Sequence, residues 1–481
     1  MTLSPVLNIL GLLTTILGAA MLIPMCFDLY FGSPDWQVFA LSSLLTAFVG
    51  VSVWLATSQR EGFDLGLRQA FLLTNGSWIS IGLFGALPFM FSELQLSLTD
   101  AIFESVSGIT TTGSTVLQQI ELASPGILIW RALLQWLGGV GIIVMAMAVL
   151  PMLSVGGMQL FRTESSERGE KELGSAARFA AATIWIYLAL TAACILVYEA
   201  GGMTGFDAVA HALTTVSTGG YSTYDASFGH FDSGFLQWAA TGFMLSGALP
   251  FAWYIRLASR RTVQSEQVRA LLTGLAAAIA ALTLWRLATS DIGVEPALRE
   301  VAFSVVSVVT TTGFATADYT SWGPAAVVAF FLLTATGGCT GSTAGGVKAM
   351  RWIVFAKRTR DQIRRITRPH GLFKARYEGR PLQDDVLDGV IAFFTFYTLT
   401  VLSLGLILNF LGLDLLTSVS GAVTALANVG PGIGPVIGPA GNFATLPDPA
   451  KWVLSFGMYL GRLEMLTVYV LLTRTFWADA A

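Results

Sequence analysis

"SVSGITTTGSTV", Ser105–Val116, interrupts a chain that is otherwise mostly apolar. Three consecutive threonines and a glycine do not suit the interior of a membrane helix, because both residue types have low helix propensity. The pattern returns as "TTVSTGGYST", Thr214–Thr223, and as "SVVTTTGFAT", Ser307–Thr316. The copies align without gaps. Asp100, Asp207 and Glu300 each stand thirteen residues before Gly113, Gly220 and Gly313. Ser107, Thr214 and Ser307 fall seven residues after the acid, and Thr111, Thr218 and Thr311 eleven after it. Asp225 and Asp318 both lie five residues past the glycine. A weaker fourth copy, "ALANVGPGIG", puts Gly430 in the glycine slot and Thr417 where the acid would be.

The 481 residues are 54% hydrophobic and 12% charged, with a mean hydropathy of +0.67. Soluble domains carry about 25% charged residues, so the composition reads as a polytopic membrane protein. The net charge of −3 points to no partner, since the charges are segregated along the chain. The three cysteines, Cys26, Cys194 and Cys339, have no disulfide or metal spacing and read as core residues. The apolar N-terminus reads as a first membrane helix rather than a removed signal peptide.

Spanning segments of about 20 apolar residues are expected near 4–31, 37–57, 68–92, 126–152, 178–200, 235–257, 267–289, 323–352, 386–411 and 449–477. Four shorter apolar segments, near 99–111, 206–218, 297–311 and 415–428, cannot cross a bilayer. Each starts near Thr99-Asp100, Asp207, Glu295-Pro296 or Asp414, residues suited to a helix N-terminus. Each then runs into threonine and glycine. The fold expected is therefore all-α: ten transmembrane helices plus four re-entrant half-helices. Four pseudo-symmetric span–half-helix–span repeats, at 61–160, 161–260, 261–380 and 381–481, follow two extra helices at 1–60. Basic residues alternate between loops: Arg60 and Arg68, then Arg162, Arg168, Lys171 and Arg178, then Arg256, Arg260, Arg261 and Arg269, then the cluster Lys348–Arg380. The positive-inside rule makes these loops and both termini cytoplasmic, so the half-helices enter from the outer side.

Four such units suggest a ring around one axis. Half-helix C-termini, partly negative, would point inward at a cation. The loops would replace the ion's water with backbone carbonyls, which needs left-handed backbone that glycine adopts freely. Threonine hydroxyls can add oxygen ligands. The expected ion-binding residues are Thr111, Thr112 and Gly113; Thr218, Gly219 and Gly220; Thr311, Thr312 and Gly313; and Asn428, Val429 and Gly430.

Gly113, Gly220, Gly313 and Gly430, the "GGCTGSTAGG" run and the "GRLE" of the last span resemble the Trk/Ktr/HKT superfamily of potassium transporters. The two extra N-terminal spans make the chain most similar to its bacterial TrkH/TrkG branch. The resemblance implies potassium uptake across the inner membrane by a homodimer with one pore per subunit. It also implies a cytoplasmic TrkA-type nucleotide-binding regulatory subunit. In the superfamily, glycine in all four slots goes with potassium and serine in the first with sodium. No covalently bound cofactor and no enzymatic activity are expected, only potassium in the filter. A sodium- or proton-coupled secondary transporter is the alternative, against which the four parallel repeats argue.

"TGGCTGSTAGGVK", Thr336–Lys348, interrupts the eighth span. Its residues Gly337, Gly338, Cys339, Thr340, Gly341, Ser342, Thr343, Ala344, Gly345 and Gly346 read as a gating loop below the filter, or else as a kinked helix packed through small residues. Arg462, mid-span in the last helix, reads as a positive barrier in the pore, or as half of a buried ion pair. His211 shares its slot with Glu104 and Ser304, which points to local hydrogen bonding rather than a ligand. The basic stretch Lys357–Arg380 could meet anionic lipid or a regulatory subunit, or simply anchor the chain. Nothing calls for nucleic acid.

Overall fold

A computed structural model describes residues 3–58, 65–148, 176–260, 264–371 and 373–478. Arg60, Arg162, Arg168, Lys171 and Arg261 lie outside the described residues. The architecture is all-α, with one two-stranded antiparallel ribbon, Arg376–Tyr377 with Arg380–Pro381. Among the described residues, seven helices are long and apolar enough to span a membrane, and the chain is a multi-pass membrane protein.

Three of the ten expected spans are broken by two or more non-helical residues. The sixth runs as Gly234–Gly247 and then Phe251–Arg260. Pro250 lies in the gap, lacks a backbone donor and disfavours helix in the residue before it. The eighth is helical only over Pro324–Thr334, and helix resumes at Ala349–Thr367 beyond the glycine-rich run. The tenth ends at Arg462 and restarts at Met465, with Glu464 held at a φ of 61°. Cys194 and Cys339 are buried as expected, whereas Cys26 is exposed on the first span.

The four short segments form helices at Leu98–Ile109, Gly205–Val216, Val294–Val309 and Leu415–Ala427. At 1.5 Å per residue they are about 18–24 Å long, against a hydrocarbon core of about 30 Å. Local chemistry starts them. The Ser97 hydroxyl accepts from Asp100 N–H and donates to its carboxylate. Thr204 does the same with Asp207. The Asp414 carboxylate accepts from Thr417 N–H. These are capping boxes or N-caps. The third copy differs: its helix starts earlier, after Gly293, so Glu300 lies inside it and faces Arg286 at 3.6 Å instead of capping.

The two N-terminal helices pack against each other closely. A Cβ on Gly11 would lie 2.6 Å from Trp54 N, and one on Gly50 would lie 2.6 Å from Thr15 N. Small residues allow backbones this near where hydrophobic attraction between helices is weak. The pair then docks on the first repeat through Thr14 and Ser80, 2.9 Å apart, and through Asp28, which accepts from Gly126 N–H at 2.6 Å.

Candidate ion-binding site

All four half-helices end the same way. Thr111 N–H bonds the Gly108 carbonyl and Thr112 N–H bonds that of Ser107. Thr218 and Gly219 repeat this with Thr215 and Thr214, Thr311 and Thr312 with Val308 and Ser307, Asn428 and Val429 with Ala425 and Thr424. These are the paired bonds of a Schellman motif, which requires a left-handed residue at its corner. That residue is Thr111, Thr218, Thr311 or Asn428, with φ of 54, 53, 58 and 57°. A left-handed non-glycine residue costs about 1–2 kcal/mol, so a strained conformation is repeated four times. Two residues on, Gly113, Gly220, Gly313 and Gly430 are left-handed again, at 85, 77, 81 and 107°. The alternation uses the loop N–H groups on the helix ends and leaves carbonyls for another partner.

The four loops meet in a closed ring. A Cβ on Gly113 would lie 2.2 Å from Gly219 O, one on Gly220 1.8 Å from Thr312 O, one on Gly313 2.0 Å from Val429 O, and one on Gly430 2.8 Å from Thr112 O. Each glycine thus abuts the middle carbonyl of the next repeat, and the fourth returns to the first. The fourth seam is also tied by Asn428, whose amide donates to Thr112 Oγ1 at 3.0 Å, and by the Ser114 hydroxyl, which donates to Gly430 O at 2.9 Å.

Behind the ring, Arg131 and Glu104 form a buried ion pair at 2.8 Å. Glu104 also accepts from Thr115 and from Val116 N–H. Arg131 donates to Ser222 O at 2.8 Å and lies 4.1 Å from the centre of the Tyr221 ring. The slot-mate His211 bonds Asp207 O and Ser222 Oγ. Asp225, one of the matched acids, accepts from Gln119 and Ile120 N–H across the first seam. Asp318 instead caps a local turn through Thr320 N–H. These repeated polar residues are scaffold for the ring.

The run from Gly337 to Gly346 crosses beneath the ring as a buried Ω-shaped loop. Its neck is pinched at Gly337 and Gly346: a Cβ on Gly346 would lie 2.5 Å from Gly337 Cα. Val347 N–H to Ala335 O and Lys348 N–H to Thr336 O zip the neck. The body plugs into the break of the sixth span. Cys339 N–H bonds Ala248 O, Thr343 N–H bonds Gly247 O, and Phe251 N–H bonds Gly341 O. That receiving break was not anticipated from the sequence, although the "ALPF" at 248–251 carried the proline that signals it. Upward, Gly345 N–H donates to Thr311 Oγ1 at 2.7 Å, Thr218 Oγ1 meets Thr343 Oγ1 at 3.2 Å, and Gly346 N–H bonds Ala427 O. Thr111 Oγ1 alone of the three corner threonine hydroxyls is buried without a partner among the described residues.

Arg462 reaches the same loop. Its guanidinium donates to Thr343 O at 2.9 Å and to Gly138 O at 3.3 Å, and is 3% exposed. The ion-pair alternative is not what the geometry holds. The nearby carboxylate, Glu464, pairs with Arg351 at 2.6 Å and with Lys348 at 3.9 Å. Lys348 and Arg351, expected as the start of a cytoplasmic basic cluster, are buried in this network instead; Lys348 has a φ of 75°, a strained value for a side-chain-bearing residue.

Known proteins share the sequence and the overall fold of this chain. Residues 36–478 match the family model TrkH, described as a cation transport protein. The chain is 48% identical over 478 residues to the Trk system potassium uptake protein TrkI of Halomonas elongata, covering 98% of this chain and 97% of that one. It is 34% identical to TrkH of Escherichia coli K12, covering 98% and 99%. The crystal structure of the potassium transporter TrkH from Vibrio parahaemolyticus superposes with a TM-score of 0.91 at 33% identity, over 99% of this chain and 100% of the other. With the match spanning nearly the whole length and the four-repeat ring, the chain belongs to the TrkH family of cation transport proteins, which are transporters and not enzymes.

Proposed function

We propose that the chain is the ion-conducting subunit of a potassium uptake system in a bacterial inner membrane. One observation carries the reading: four glycines abut four carbonyls in a ring that closes on itself. A ring of backbone oxygens, held by half-helix ends with partial negative charge, replaces the hydration shell of a monovalent cation. Thr111–Gly113, Thr218–Gly220, Thr311–Gly313 and Asn428–Gly430 are the selectivity filter, with potassium as its cargo. The relatives named as potassium uptake proteins support that ion. Glycine in all four slots favours it over sodium.

The Gly337–Gly346 loop is the gate, and Arg462 the barrier that holds it. The loop lies under three of the four half-helices, so conduction requires it to move. Both termini are cytoplasmic, which puts loop and basic helix Ala349–Thr367 on the inner side. There the basic stretch receives a TrkA-type nucleotide-binding subunit, and the transporter works as a homodimer with one pore in each protomer. Flux is channel-like, through one pore, rather than by rocking of inverted halves.

The test is growth of a potassium-uptake-deficient bacterium on low potassium, with the chain and a regulatory subunit supplied together. Rescue that fails on replacing Gly113 by Asp, with protein still in the membrane, supports the reading. Absence of rescue by the well-expressed parent, or rescue indifferent to Gly113→Asp, sinks it.

A further inference from the structure

The second loop of the ring departs from the others at one position. Gly219 stands where Thr112, Thr312 and Val429 stand in the other repeats. Those three are β-branched and stiff. Two are further tied within their own loops: Thr112 Oγ1 lies 2.7 Å from Thr110 Oγ1, and Thr312 Oγ1 lies 2.8 Å from Thr310 Oγ1. Gly219-Gly220 has no side chain to hold it, and a Gly–Gly peptide has the widest choice of backbone angles.

Another residue fills the space. A Cβ on Gly219 would lie 2.3 Å from Cδ of Gln135, a wholly buried side chain of the first repeat's helix Pro125–Ala148. Gln135 Nε2 donates to Gly219 O at 2.7 Å, and its Oε1 accepts from Tyr221 N–H at 3.0 Å. One carboxamide thus bonds the acceptor before Gly220 and the donor after it, as a neighbouring peptide would in a sheet. Gly219 O is the same oxygen that abuts Gly113. A carbonyl has two lone pairs, so accepting from Gln135 leaves one for an ion.

We propose that Gln135 is a specificity-determining positioning residue. It fixes the orientation of the Gly219 carbonyl, and so sets potassium-over-sodium discrimination in the quadrant where no side chain of the loop's own Gly219-Gly220 pair does so. The proposal rests on the filter reading above. Glycine at 219 and glutamine at 135 form one unit: the absent side chain makes room for the clamp that replaces it.

The test uses the full chain reconstituted in lipid vesicles, reading the potassium-over-sodium permeability ratio beside the thermal unfolding midpoint. Gln135→Leu removes both bonds at similar volume and is expected to lower the ratio about tenfold. Gln135→Glu keeps the shape and the acceptor for Tyr221 but loses the donor to Gly219; it is expected to lower the ratio as well, and it decides the matter if the leucine variant does not fold. Gly313→Ala, in a loop Gln135 does not touch, is the control. A ratio within twofold of the parent in folded Gln135 variants, with Gly313→Ala lowering it, overturns this inference and leaves the filter reading standing. An unchanged ratio in Gly313→Ala too overturns both.

Discussion

Gly313 shows what one side chain would do to the ring. Its φ is 81°, and a Cβ would lie 2.0 Å from Val429 O and 3.0 Å from Pro431 Cδ. Both obstacles are backbone or ring atoms that cannot swing aside. Gly313→Ser is therefore expected to displace the Val429 carbonyl and lower the potassium-over-sodium permeability ratio about tenfold, equivalent to about 1.4 kcal/mol of lost discrimination. Vesicle reversal potentials measure this, and an unchanged ratio would count against carbonyl coordination. Arg462 makes a different prediction. A cation passing about 5 Å from its charge, at an effective dielectric near 20, would be repelled by about 3 kcal/mol. Arg462 also holds the loop through Thr343 O. Arg462→Ala removes both restraints, so potassium flux per folded protein should rise at least about tenfold with ion preference unchanged. Arg462→Lys keeps the charge but not the two-pronged reach, and should fall between parent and alanine. Equal flux in all three would remove Arg462 from the pathway.

At the scale of elements, the loop is clamped at its body and at its exit by one short piece of the broken last span. Arg462 holds Thr343, and Glu464 holds Lys348 and Arg351 where the helix Ala349–Thr367 begins. Arg351 is fully buried and lies 3.8 Å from the centre of the Phe393 ring. Removing one partner from a buried cluster typically costs about 3–5 kcal/mol, because charge is left uncompensated. Glu464→Gln is thus expected to lower the unfolding midpoint in detergent and to raise basal flux, since the loop's exit is no longer tied. A lowered midpoint with unchanged flux would make the cluster scaffold alone. Deleting Gly341 and Ser342 removes the bond to Phe251 N–H that seats the loop in the sixth span. Basal flux should then rise and depend less on a regulatory subunit. A deletion that folds, reaches the membrane and conducts no faster than the parent would refute the gate.

For the whole molecule, the question is what keeps four repeats of one chain in a ring. Among the described residues, side-chain and backbone contacts join the fourth repeat back to the first. Lys451, at the start of the last span, meets Asp100 at 2.6 Å and is almost fully buried. Phe443 N–H bonds Thr115 O at 2.9 Å, and Asn428 reaches Thr112. Lys451→Met and Asp100→Asn should each destabilise the fold, and the double variant should cost less than their sum. A coupling of about 1 kcal/mol or more in a double-mutant cycle, read from thermal unfolding, is expected for contacting partners. Strict additivity would show that the closing seam rests on the other contacts.

The repeat, the half-helices and their starts were legible in the chain because their causes are local. Ser97 to Asp100 and Thr204 to Asp207 are capping signals three residues apart, and a segment of about a dozen apolar residues ending in threonine and glycine cannot span a bilayer. The glycine slots were legible from their fixed spacing and the left-handed backbone they suit, while the carbonyl of the next repeat that also excludes a side chain there was not. The left-handed Thr111, Thr218, Thr311 and Asn428 were not, because a helix-end motif overrides the preference of those residues. The break after Gly247 had its local signal in Pro250, but the Gln135 clamp and the Glu464–Arg351 pair depend on partners 84 and 113 positions apart. No periodicity or local propensity encodes such pairings. Only packing brings Ala248 to the loop's N–H groups, or puts a glutamine where a side chain at position 219 would otherwise stand.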